Sequence, residues 1–156
     1  MKNSIIIILF IATVFASCKN TEKQNEVESP KEVVQEQESD LLSTAWMSEI
    51  KLHGNSKWDA NIETTEGVVK MQELLKTQTT SSIEDYHLLA NKLNEVKNKV
   101  VKECTMKGPS HDNLHIWLYP LIEKVKALSQ TNDIEEAAKI RQSIIENVAA
   151  YDTYFQ

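Results

Sequence analysis

Apolar residues recur every three or four positions along the chain after residue 60, which is the spacing of an amphipathic helix. Short polar stretches at residues 79–82, 107–109 and 131–133 divide this pattern into four parts. Short connections place consecutive helices side by side in opposite directions. The pattern therefore predicts an all-α domain at residues 41–156, folded as an antiparallel up-and-down four-helix bundle.

Capping residues indicate where the first two helices begin. The first is predicted from about Asn61 to Gln78, and the second begins after residues 79–82, where Ser81 and Glu84 have the spacing of a capping box. The second helix should end at Cys104, which continues its apolar stripe. The core-facing residues predicted on these helices are Val68, Met71, Leu75, Tyr86, Leu89, Leu93, Val96 and Val100.

Gly108 and Pro109 predict the end of the second helix and the start of the third, because glycine permits helix termination and proline fits a first helical turn. Pro120 lies inside the third apolar pattern, where it should kink the helix. The core-facing residues predicted here are Leu114, Leu118, Leu121, Val125 and Leu128.

The fourth helix is predicted to follow residues 131–133 and to continue to Phe155, with Asn132 and Glu135 as a second capping box. The stretch at residues 41–52 is less periodic, and we interpret it as a short helix or strand that packs on the bundle.

The N-terminus has the pattern of a bacterial lipoprotein signal. Lys2 precedes an apolar run at residues 5–16 that contains only one polar residue, Thr13. This run is shorter than the roughly 20 residues of a membrane-spanning helix. Ser17 and Cys18 follow it, as a small residue and a thiol do at a lipid-acylation site. We therefore expect residues 1–17 to be a signal peptide and Cys18 to carry the lipid.

Residues 18–40 are expected to form a disordered acidic linker after the acylated cysteine. Three lysines and seven acidic residues lie between positions 19 and 40, and the only apolar residues there are valines. A segment of this composition cannot bury enough apolar surface to fold. The linker would attach the domain to a membrane of the cell envelope, facing the periplasm or the cell surface.

Charge and motifs exclude several classes of function. The net charge of −6 becomes −7 once Lys2 leaves with the signal peptide, which disfavours nucleic-acid binding. No phosphate loop, G-x-S-x-G, H-E-x-x-H or C-x-x-C motif occurs, and we expect no enzymatic activity. Acylation of Cys18 would leave Cys104 without a disulfide partner within the chain.

The strongest candidate chemistry lies where the second helix is followed by the third. Cys104, Met106, His111 and His115 place a thiol, a thioether and two imidazoles within twelve residues. Such groups are ligands for soft or borderline metal ions. His111 and His115 are four residues apart, so both project from one side of a helix. The sequence therefore predicts a site for a soft metal ion, with copper as the candidate.

Other interpretations of the same residues stay open. A cysteine or methionine on an apolar stripe is often only a core residue. A non-covalent haem held by Met71 and a histidine is a further alternative, whereas His87 lies at the opposite end of its helix. The alternative from a different class is a structural or partner-binding module whose exposed aromatic end docks on another envelope protein.

The segment from Cys104 to Pro120 also carries a resemblance. Its pattern C-T-M-x-G-x-x-H-x-x-L-H-x-W-L-x-P resembles one found in small helical lipoproteins of Gram-negative envelopes. The same proteins carry a counterpart of Lys57-Trp58 before the first helix and end near Tyr154-Phe155. The resemblance covers residues 57–156 and implies an envelope location and a helical fold, without an implied activity.

Overall fold

The computed structural model describes residues 40–156, which form an all-helical bundle without a β-strand. The expected signal peptide at 1–17, the lipidation site at Cys18 and the linker up to residue 39 lie outside the described residues. None of the helices at 40–156 combines the length and the apolar character needed to cross a membrane. The four long helices are α1 (Ile62–Thr77), α2 (Ile83–Glu103), α3 (Pro109–Gln130) and α4 (Ile134–Tyr154).

The helices pack in chain order, since α1 contacts α2, α2 contacts α3 and α3 contacts α4. Helices α1 and α4 also contact each other. The predicted apolar stripes form the core, with Leu89, Leu93 and Leu121 fully buried. Helices α1 and α2 pack against each other at Gly67, where an added Cβ atom would lie 2.2 Å from Val100 Cγ2. The Val100 side chain therefore leaves no room for a side chain at residue 67.

The predicted capping residues of α2 and α4 are each wrong by one position. Ser82, rather than Ser81, caps α2: its hydroxyl accepts from the Asp85 backbone N–H, and the Asp85 side chain accepts from the Ser82 N–H. The predicted partner Glu84 is therefore not part of the box. A capping box needs a short side chain in extended backbone just before the helix, and Ser82 is that residue.

The cap of α4 is Asp133, not Asn132. The Asp133 carboxylate accepts from the backbone N–H groups of Glu135 and Glu136, so it satisfies two amides that have no partner within the helix. The predicted box between Asn132 and Glu135 does not form, because Asn132 lies one residue before the extended position that a cap must occupy.

Helix α3 begins where Gly108 and Pro109 predicted it. Gly108 has φ = 62°, in the left-handed region that favours glycine, and Pro109 occupies the first helical turn. The helix continues through Pro120 to Gln130 as one element. Its buried face includes Trp117 and a charged residue, Lys124.

The segment before α1 is not the single short helix or strand expected at residues 41–52. Residues 40–42 are helical, and a separate 3₁₀ turn spans Ala45–Ser48. The Ser43 hydroxyl accepts from the Ala45 backbone N–H at 3.1 Å, which interrupts the helix between the two pieces. The 3₁₀ turn contacts α3 and buries Trp46, so the segment packs on the bundle as expected.

Candidate functional site

The structure brings His111 and His115 together on one side of α3. Their ring centroids are 4.2 Å apart, and the ring planes are inclined at 51°. Both side chains are half-buried, so solvent reaches the pair. The spacing of four residues produces this arrangement, as predicted for neighbours on a helix surface. Two imidazoles at this separation can share one metal ion.

Tyr119 continues the row by one further helical turn. Its hydroxyl lies 3.0 Å from His115 Nδ1, and the two ring centroids are 5.0 Å apart. This hydrogen bond fixes the orientation of the His115 ring and leaves Nε2 as the nitrogen for a ligand. Histidines that bind metals commonly have their second nitrogen held in this way.

A groove of about 510 Å³ runs beside His115 between α3 and the 3₁₀ turn. Trp46 and Tyr119 form its apolar walls, and Glu49 and Asp112 add two carboxylates. The groove makes one edge of the imidazole row accessible to a small ligand or to a side chain of another protein.

Cys104 and Met106 pack against the hydrophobic core. Cys104 is the residue that ends α2, and both side chains are half-buried against the hydrophobic core. Burial raises the pKa of the Tyr151 phenol, and Cys104 makes a small contribution in the same direction. Among residues 40–156, no three His, Cys, Asp or Glu side chains are grouped to hold one metal ion. The structure therefore assembles the imidazole pair but does not group Cys104 with it.

Trp58 and the aromatic residues at the end of α4 lie together at this end of the bundle. The Trp58 backbone N–H donates to the Tyr154 carbonyl at 2.8 Å, and Phe155 pairs with Trp58 in an isolated parallel bridge. The rings of Tyr151 and Phe155 stack at 4.9 Å, and both residues are buried. Tyr151 and Phe155 are therefore part of the core, whereas Trp58 and Tyr154 are half-buried at its edge.

The other candidate ligands have structural roles. Met71 is 1% exposed and belongs to the core. His87 Nε2 lies 2.8 Å from the Thr131 carbonyl in the connection between α3 and α4, which confirms that it belongs to the opposite end of the molecule.

Sequence reasoning missed a buried polar network between α3 and α4. Lys124 Nζ donates to Asn147 Oδ1 at 3.1 Å, Asn147 Nδ2 donates to the Trp117 carbonyl at 3.1 Å, and Trp117 Nε1 donates to the Asn147 carbonyl at 2.8 Å. Burial lowers the pKa of Lys124 to about 8, against the opposing effect of Glu146. The signal was present in the sequence, because Lys124 falls three residues after Leu121 and four before Leu128, on the apolar stripe of α3.

Comparisons with known proteins give no relative. No protein-family model, curated protein or solved structure is similar to this chain.

Proposed function

We propose that this protein is a lipid-anchored protein of the bacterial cell envelope, without enzymatic activity, whose helical domain binds a soft metal ion. The anchor rests on the apolar run at residues 5–16 and on Ser17-Cys18 after it. The acidic composition of residues 19–40 supports a flexible linker between the lipid and the domain. The domain then faces the periplasm or the cell surface.

We further propose that the four helices form an antiparallel up-and-down bundle. The connections between them are short, at residues 78–82, 104–108 and 131–133, and helices consecutive in the chain contact each other. Asn61 Nδ2 donates to the Glu103 carbonyl at 3.1 Å, so the start of α1 lies beside the end of α2. The contact between α1 and α4 closes the bundle.

The 4.2 Å separation of the His111 and His115 rings carries the metal proposal. Imidazole suits copper and zinc, and a thiolate or thioether selects Cu(I). Cys104 and Met106 are the first and third residues of the connection at 104–108 between α2 and α3, and both are half-buried. We assign the imidazole pair as the first binding group and Cys104 and Met106 as ligands recruited when residues 104–108 rearrange. Such a site would carry or transfer copper rather than catalyse a reaction.

Anaerobic titration with Cu(I) against a competing chelator tests this function. The protein would start at residue 18 with Cys18→Ser, so that Cys104 is the only thiol. We expect one equivalent to bind with Kd below about 1 μM, and the double variant His111→Ala/His115→Ala to lose this binding. His87→Ala removes a histidine at the opposite end of the molecule and should bind as the parent does. Equal binding by the double variant, or none by the parent, would refute the copper site.

Cys18 is tested separately from the metal site. In a bacterial host, the full chain should fractionate with membranes and incorporate labelled fatty acid, and Cys18→Ala should do neither. Cys104→Ala is the matched control, because it removes the other thiol and should leave acylation unchanged. Incorporation of label into Cys18→Ala would rule out the anchor.

The alternative function, a partner-binding module without a metal, has one observation in its favour. Helices α1 and α2 expose large apolar side chains, with Ile62 68%, Val69 57% and Val101 52% accessible. Ile62 and Val69 are seven residues apart and share one side of α1. A protein that is indifferent to copper would leave this surface as the functional candidate.

A further inference from the structure

Two adjacent grooves lie between α3 and residues 40–49, and we name them together the acidic groove. Their volumes are about 530 Å³ and 510 Å³, and Trp46, Tyr119 and Pro120 line both of them. Trp46 is 7% exposed and packs in the core, whereas Tyr119 is 59% exposed. The acidic groove therefore has one fixed aromatic wall and one ring that is accessible to a ligand.

The rim of the acidic groove is negatively charged. It carries four exposed acidic residues, Asp40, Glu49, Asp112 and Glu123. Among residues 40–156, no lysine or arginine lines either part of the groove. Lys126 Nζ lies 3.9 Å from Glu123, but these side chains are 62% and 63% exposed, so the pair neutralises the carboxylate only weakly.

Pro120 adds a backbone acceptor to this surface. Proline has no N–H group, so the carbonyl of Ile116 lacks its helical donor four residues later. Ile116 and Pro120 both line the part of the groove beside His115. A ligand in this part meets carboxylates, a backbone carbonyl and aromatic rings. A guanidinium group suits all three, because it is planar, carries five N–H donors and stacks on aromatic faces.

We propose that the acidic groove docks a basic segment of another protein. An arginine of that segment lies against Trp46 and Tyr119, and its guanidinium binds the carboxylates of Glu49 and Asp112. Charge complementarity selects this partner. Residues 19–40 of the chain itself are a poorer occupant, because their seven acidic residues outnumber three lysines, and a second copy of the chain is also net negative. Docking needs no metal ion, so this proposal does not rest on the copper site.

Fluorescence anisotropy tests the proposal with the full chain in a non-ionic detergent, after metal ions have been removed. The probe is a short peptide of alternating arginine and glycine that carries a neutral fluorescent label. The reference peptide has citrulline, the uncharged analogue, in place of each arginine. At about 0.15 M salt, we expect the arginine peptide to bind saturably with Kd below about 1 mM. The citrulline peptide should bind at least about tenfold more weakly.

Exposed carboxylates on two sides of the domain provide a matched pair of variants. Glu49→Gln/Asp112→Asn should weaken binding of the arginine peptide about tenfold, because it removes both carboxylates that hold the guanidinium. Glu66→Gln/Glu95→Gln removes two exposed carboxylates from α1 and α2 and changes the net charge equally. This control should bind the peptide as the parent does.

An added positive charge gives a second test. Ala45 is exposed and lines the acidic groove, so Ala45→Lys should repel the arginine peptide and weaken its binding at least about tenfold. Ala138→Lys places the same charge at an exposed position of α4 and should leave binding unchanged.

Several results would overturn the proposal. They are the absence of saturable binding, equal binding of the citrulline peptide, and unchanged binding by Glu49→Gln/Asp112→Asn. Equal losses in a groove variant and its control would also overturn it, because they indicate attraction to net charge alone. A dimer that Ala45→Lys dissociates would assign the groove to a second copy, and peptide binding only after deletion of residues 19–39 would assign it to the linker.

Discussion

The ammonium of Lys124 is bonded to the amide oxygen of Asn147 in the interior of the bundle, and none of the ion pairs within residues 40–156 includes it. Burial lowers the pKa of this lysine from 10.5 to about 8, while the unfolded chain keeps the ordinary value. Between these two values the unfolded state binds more protons than the folded state. The free energy of unfolding therefore rises as the pH increases through this range.

We expect this lysine to give the protein a distinct stability profile at alkaline pH. The free energy of unfolding of the parent, relative to Lys124→Met, should rise by about 2 kcal/mol between pH 7 and pH 10. Urea unfolding in buffers free of phosphate and carboxylate measures the difference. The difference in the free energy of unfolding between the parent and Lys126→Met should not change with pH, because that lysine is exposed. Parallel profiles for the parent and Lys124→Met would contradict a buried, charged lysine.

Gly67→Ala should destabilise the bundle. The new methyl group would lie 2.2 Å from Val100 Cγ2, so α1 and α2 must separate or Val100 must move. Overpacking of this kind costs about 1–3 kcal/mol, against a gain of about 1 kcal/mol in helix propensity. Urea unfolding should show a net loss of about 1 kcal/mol or more.

Val100→Ala provides the test of that mechanism. Alone, this substitution leaves a cavity and should lower the free energy of unfolding. In combination with Gly67→Ala it removes the clash. The double variant should therefore be more stable than the sum of the two single effects predicts. Val69→Ala, at an exposed position of α1, is the control and should change little. If the two changes in the free energy of unfolding were simply additive, the contact between Gly67 and Val100 would not be the cause of the destabilisation by Gly67→Ala.

The capping assignment of α2 predicts different effects for substitutions of two adjacent serines. Ser82→Ala should lower the free energy of unfolding by about 1 kcal/mol, because the Asp85 N–H loses its acceptor. Ser81→Ala should have almost no effect, since its backbone N–H, rather than its hydroxyl, contacts the Asp85 carboxylate. Chemical denaturation of the two variants side by side decides the matter, and equal losses would disprove the assignment of the cap.

Tyr119→Phe should weaken copper binding without changing the fold. The substitution removes the hydroxyl that orients His115 through Nδ1, and loss of such a partner lowers metal affinity about tenfold. Helicity by circular dichroism should be unchanged, because Tyr119 is exposed. Tyr86→Phe is the matched control, because Tyr86 lies in the first turn of α2, at the opposite end of the bundle from the imidazoles. A similar loss in both variants would point to a general effect on the domain.

The helices were predictable because their apolar periodicity is strong over many turns, whereas the caps depend on single residues. Ser81 and Ser82 are chemically identical, and only the backbone conformation at Ser82 distinguishes them. The segment at residues 41–52 was unpredictable in detail, because its conformation depends on the Ser43 side chain and on burial of Trp46 against α3.

The candidate site was also predictable only in part. The pairing of His111 with His115 follows from helical spacing alone, whereas the direction of the Cys104 side chain depends on how α2 ends against the core. The polar network between α3 and α4 was not predictable from helical spacing. Lys124 and Asn147 each interrupt an apolar stripe, but only the register between α3 and α4 brings the two side chains into contact.

The attachments of residues 40–60 to the bundle define the order in which they would detach under tension. Tension transmitted from the proposed lipid anchor would reach residue 40 first. The attachments at Met47 and Lys51 and the backbone bonds of Trp58 and Ala60 follow one another along the chain. These contacts would therefore break one at a time, each under a small force. The helices would bear load only after Trp58 separates from Phe155, so a pull on the linker would detach residues 40–60 before it unfolds the bundle.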